Sequence, residues 1–197
     1  MRQLRSLLIA VLLGVSLWPH GPEAQTTDLV AQARQALATD RIDEALGLLE
    51  KAVAANPNDP VALAELGSAQ VRKAPKVPLF EQPGWVQKGF VTLDRAVERF
   101  PDAFVVYVMR GVTAAGVPPM FNKTGVALKD LTTVVTMKDR TPAAVPDAVM
   151  PIVYLNLGRA HKKSGRPAEA RAAWETAKRT YPAAPEIPAI DQELGKL

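Results

Sequence analysis

Histidine is the side chain that moves protons most readily near neutral pH, so His161 is the first residue to weigh for chemistry. The sequence holds two histidines, His20 and His161, and no cysteine. His20 lies in an N-terminal leader, so a zinc site of histidine and cysteine ligands is not available to the rest of the chain. His161 shares a helical face with Tyr154 and Leu157 and is read as a packing residue. Lys123-Thr124-Gly125 matches one motif of certain serine enzymes, whose nucleophile is a serine followed three residues later by lysine. None of Ser6, Ser16, Ser68 and Ser164 has lysine at that offset. The tripeptide is therefore read as a helix start, with Asn122 or Thr124 as its cap. Asp40, Asp43 and Glu44 cluster; Asp40 is expected to cap a helix, with Asp43 as the acidic partner of a capping box. A weak calcium site is the alternative use of these three carboxylates. No glycine-rich phosphate loop is present. These residues support no enzymatic activity, and no cofactor or metal is expected.

The elements that hold these residues are clearest between Pro151 and Pro182. Tyr154, Leu157 and His161 recur at helical spacing, with Gly158 inside the helix. A mid-helix glycine costs roughly 1 kcal/mol relative to alanine, so close approach of a second helix is its expected reason. Ser164-Gly165-Arg166-Pro167 breaks the pattern, glycine suiting a helix end and proline a helix start. A second helix carries Ala170, Trp174 and Ala177 on one face and stops at Tyr181-Pro182.

This helix pair resembles the tetratricopeptide repeat (TPR), a unit of about 34 residues. Counting from Pro151, Tyr154, Leu157, Gly158, His161, Ala170, Trp174, Ala177 and Pro182 fall at positions 4, 7, 8, 11, 20, 24, 27 and 32. Residues 26–59 repeat the pattern with Leu29, Ala33, Ala36, Ala45, Leu49, Ala52 and Pro57, after which Asp59 is a natural cap and Pro60 a natural first helical residue. Two further copies, near 60–103 and 104–141, carry insertions. One is Lys73–Trp85, whose three prolines forbid a regular helix, and the other is Val117–Lys123. Residues 140–150 link to the last repeat, 151–184, with Asp147 as a candidate cap. The tail, 185–197, places Ile187, Ile190 and Leu194 on one helical face. The fold expected is all-α: a solenoid of about four repeats with two proline-rich insertions and a short C-terminal capping helix.

Ahead of the repeats, Arg2 and Arg5 precede an apolar run from Leu7 to Trp18 and then Pro19-His20-Gly21-Pro22. That is the order of a secretory signal peptide, and the run is too short to span a bilayer readily. Cleavage is expected after Ala24, leaving 25–197 as the mature domain; an uncleaved anchor is the alternative. The expected location is the periplasm or the exterior, with no membrane span left after cleavage. The absence of cysteine fits this and excludes lipid attachment at a cysteine. A net charge of +4 is too mild for a nucleic-acid binder.

The resemblance implies ligand contact on a concave face lined by positions 2, 5, 9, 12 and 13 of each first helix. By position these include Arg34, Arg72, Val105, Val108, Val112, Arg159, Lys162 and Lys163. The face is thus apolar in the middle and basic at its ends. The two-carboxylate clamp of chaperone-binding relatives needs Lys and Asn where Val30 and Arg34 stand, so that activity is not supported. Phe80 and Trp85 in the first insertion, with Met120 and Phe121 in the second, are expected as loop contacts. They either thicken the core or complete a recognition pocket. The function expected is a scaffold binding a peptide or protein of an envelope complex. The alternative is a carrier of a small apolar ligand or lipid in a cavity closed by the loops 73–85 and 117–123.

Overall fold

The computed structural model describes residues 22–197; residues 1–21, which hold His20 and most of the expected signal peptide, lie outside the described residues. Eight helices form four antiparallel pairs: α1 (Pro22–Ala38) with α2 (Ile42–Ala55), α3 (Pro60–Lys73) with α4 (Gln82–Arg99), α5 (Phe104–Gly116) with α6 (Thr124–Arg140), and α7 (Met150–Lys163) with α8 (Pro167–Thr180). A ninth, α9 (Ile187–Leu194), packs on α8 and α7 and caps the stack. The first helices of successive pairs touch in sequence, α1 to α3 to α5 to α7, which makes the chain a solenoid.

Small residues set the approach within each pair. A Cβ on Gly158 would meet the Trp174 indole, and Trp174 is fully buried, its Nε1 donating to the Leu155 carbonyl at 2.9 Å. A Cβ on Gly67 would stand 2.9 Å from the Gly89 carbonyl oxygen, so α3 and α4 cross backbone to backbone. Ala33 and Ala45 do the same work in the first pair and are fully buried.

Several expected caps are corrected. Asp59 does cap α3, accepting from the amides of Val61 (2.8 Å) and Ala62 (3.2 Å). Asp40 does not cap α2, which begins after Arg41 without a side-chain cap. Asp40 instead adopts a left-handed conformation (φ 60°) in the turn, and its carboxylate pairs with Lys76. Asp43 likewise pairs with Lys73 at 2.6 Å, and Glu44 with Arg41 at 2.6 Å. Each acid of that cluster is therefore engaged by its own cation, and two of them tie the first insertion to the first repeat. Neither Asn122, left-handed at φ 52°, nor Thr124 caps α6. Asp147 does not cap α7; it opens a short 3-10 turn and pairs with Lys138 at 2.6 Å. Lys138 also donates to the carbonyls of Pro142 and Val145, both at 2.8 Å, which folds the 140–150 linker onto α6.

The insertions are shorter than their proline content suggests. Ala74–Lys76 forms a 3-10 turn, and α4 begins at Gln82, so Pro83 falls in its first turn, where a missing amide costs nothing. Pro119–Phe121 is a second 3-10 turn. No helix among the described residues is long and apolar enough to cross a membrane.

Candidate functional site

Position 13 of the repeat is where the concave face is decided. In the second repeat it is Arg72, whose Nη2 donates to the Leu37 carbonyl at 3.1 Å. In the fourth it is Lys163, whose Nζ donates to the carbonyls of Ala115 (2.5 Å) and Val117 (3.0 Å). Leu37 and Ala115 both stand at position 12 of the preceding repeat. Two cations predicted as partner contacts thus satisfy carbonyls at the ends of α1 and α5, which a helix leaves unpaired. Burial of the Lys163 ammonium, with Arg159 nearby, pulls its pKa below the ordinary lysine value.

The other predicted cations also have internal partners. Arg34 pairs with the buried Glu65 of α3 at 2.8 Å. Arg159 meets Glu193 of α9 at 2.9 Å, and Lys162 reaches the same carboxylate at 3.4 Å. Burial raises the Glu193 pKa, but the hydrogen bonds from Arg159 and Lys162 outweigh it and leave it below the ordinary value. Arg159, Lys162 and Lys163 do come together, in a polar recess of about 410 Å³ that Asn156, Ala115, Gly116 and Glu193 complete.

In the third repeat position 13 is Gly116, which has no side chain to reach the second; that junction is bridged instead from α5 to α4, where Arg110 meets Asp94 at 2.7 Å. The space left there is an apolar cavity of about 490 Å³ between α3, α4 and α5. Val71, Val86, Val112 and Phe121 line it, with Ala74, Pro75 and Gln82 from the first insertion and Val117 and Pro118 from the second. Arg72, Ser68 and Thr113 add polar groups; Thr113 donates to Ser68 at 3.0 Å, joining α5 to α3 across the floor. Gly116 lines both recesses, so they adjoin there.

Of the apolar residues predicted for this face, Val112 lines the cavity. Val108 is turned into the core beside Leu131 and Val153, and Val105 packs, half-buried, on the core of the second and third repeats. Among the loop residues, Phe121 forms a cavity wall and Trp85 is half-buried under Lys88, whose Nζ is 5.0 Å from the ring centroid. Phe80 and Met120 are each 82% exposed, as is Leu79 at 79%. Phe121 thus helps to wall a pocket and Trp85 packs against the core, whereas Phe80 and Met120 at the tips stand in solvent rather than thickening the core.

Sequence reasoning missed Arg110. Its guanidinium binds Asp130 through two hydrogen bonds (2.7 and 2.8 Å) and Asp94 through a third (2.7 Å). The Asp130 bond raises the Arg110 pKa, and Asp130 is fully buried. His161 sits against the turn into α8; burial, then the charge of Arg166, lowers its pKa below 6.5, and its Nδ1 has no hydrogen-bond partner. Among the described residues no group of three or more His, Asp or Glu is arranged to hold a metal ion.

A family model for the tetratricopeptide repeat matches residues 151–176. A thermophilic TPR protein from Thermus thermophilus superposes with a TM-score of 0.53 at 19% identity, over 87% of this chain and 100% of that one. A mutant of MamA superposes with a TM-score of 0.52 at 22% identity, over 88% and 90%. No curated protein sequence matches the chain. The chain has the fold of a TPR solenoid.

Proposed function

We propose that this TPR solenoid is an exported scaffold, periplasmic or secreted, that binds a segment of a partner protein along its concave face. One apolar side chain of that segment seats in the cavity between α3 and α5. The cavity carries the reading: it is apolar, open, and adjoins at Gly116 the recess of Arg159, Lys162 and Lys163. Leu79, Phe80 and Met120 at the loop tips add apolar surface that a partner would cover. The leader composition of residues 1–24 supports export. The test is a photo-crosslinking residue placed at Val112 in the full chain in its own host. A single protein adduct is expected from Val112 and none from Arg95, an exposed position on α4 away from the cavity. Equal capture from both positions, or a chain recovered uncleaved in the cytosol, would sink the corresponding part of the proposal.

A second reading, a carrier of a small apolar ligand, is favoured by one observation. The cavity volume of about 490 Å³ lies within the range of small-molecule pockets, and both insertions wall it.

A further inference from the structure

We infer that the cavity takes an anionic amphiphile, a medium-chain carboxylate, with its tail between α3, α4 and α5 and its carboxylate on Arg72. This rests on the second reading above, in which the cavity is a ligand site.

Charge separates Arg72 from the other cations of the concave face. Arg34, Arg110, Arg159 and Lys162 each have a carboxylate within 4.0 Å, and Lys163 is held by two backbone carbonyls. Arg72 has no carboxylate partner among the described residues, and it stands at an apolar cavity that no aspartate or glutamate lines. Its one bond, from Nη2 to the Leu37 carbonyl, fixes the side chain without neutralising it. A guanidinium carries five N–H donors in a planar fork that matches a carboxylate, so donors remain for a ligand head. One guanidinium balances one negative charge, which suits a single carboxylate.

The rest of the lining suits a tail. Val71, Val86, Val112, Val117 and Phe121 offer no donor or acceptor, so an apolar chain is favoured there by area removed from water. The Ser68 and Thr113 hydroxyls bond to each other and so do not demand a polar group from the ligand.

The test compares decanoate with 1-decanol on the purified protein by calorimetric titration. Decanoate is expected to bind roughly tenfold more tightly or better, the scale of one hydrogen bond to a charged group. Arg72→Met should erase that preference while leaving decanol affinity unchanged. Gly116→Leu should weaken binding of both without lowering the melting temperature, because a Cβ there meets nothing within 4 Å and the added side chain narrows the cavity that Gly116 lines. The inference is overturned if wild-type protein binds both equally or if the preference survives Arg72→Met. It is also overturned if Arg72→Met weakens both alike, as a purely structural arginine would. Binding of neither overturns it together with the ligand-site reading beneath it, whereas equal binding of both leaves that reading intact.

Discussion

At Arg110 two carboxylates from α4 and α6 converge on one guanidinium that is largely withdrawn from water. Removing one partner of such a cluster strands the other. Arg110→Met, which leaves the fully buried Asp130 without a cation, is therefore expected to lower unfolding free energy by about 3–5 kcal/mol, whereas the paired change Arg110→Met with Asp130→Leu should recover most of it. Urea titration of the two variants distinguishes these outcomes; equal destabilisation by single and paired changes would show that packing, not charge, is at stake. The cluster was invisible in the sequence because its partners lie 20 and 16 residues from Arg110, on separate helices. The same limit explains the caps. Asp40 and Asp43 have the types and spacing of a capping box, but Lys76 and Lys73, 36 and 30 residues away in the chain, offer charge that a local rule cannot see. Asp59 obeyed the local rule because no cation competes for it in the structure.

Among the elements, the helix pairs were legible and their junctions were not. Gly158 was expected to admit a second helix, and the structure puts the Trp174 indole of that helix where a Cβ would go. Gly158→Leu is expected to cost at least roughly 1–3 kcal/mol through overpacking, read as a fall in melting temperature; an unchanged melting curve would mean α8 can move aside freely. The insertions were legible through their prolines, yet helix α4 starts three residues earlier than expected because Pro83 fits its first turn. Arg72 and Lys163 were assigned to a surface by position counting. Counting cannot tell that a long side chain turns back onto the preceding repeat, since that depends on where the end of α1 or α5 comes to rest.

For the whole molecule, the C-terminal helix α9 does more than shield an end. Its Ile190 is fully buried against the last pair, and its Glu193 holds Arg159 and Lys162. Solenoid stability is close to a sum of neighbour terms, so damage stays local. Truncation after Ala184 is expected to speed amide exchange in α7 and α8 while leaving α1 to α4 protected as before; loss of protection throughout would mean the stack unfolds as one unit. The first and last repeat junctions are each bolted by a cation at position 13. The middle junction has Gly116 there, and α4 rests on α5 over a shorter stretch than α2 on α3 or α6 on α7. Arg110 with Asp94 and Thr113 with Ser68 close that junction instead, on either side of a gap left at Gly116. A guest lodged beside Gly116 would therefore touch the second and third repeats at once and belong to neither, so its site exists only where two repeats are stacked.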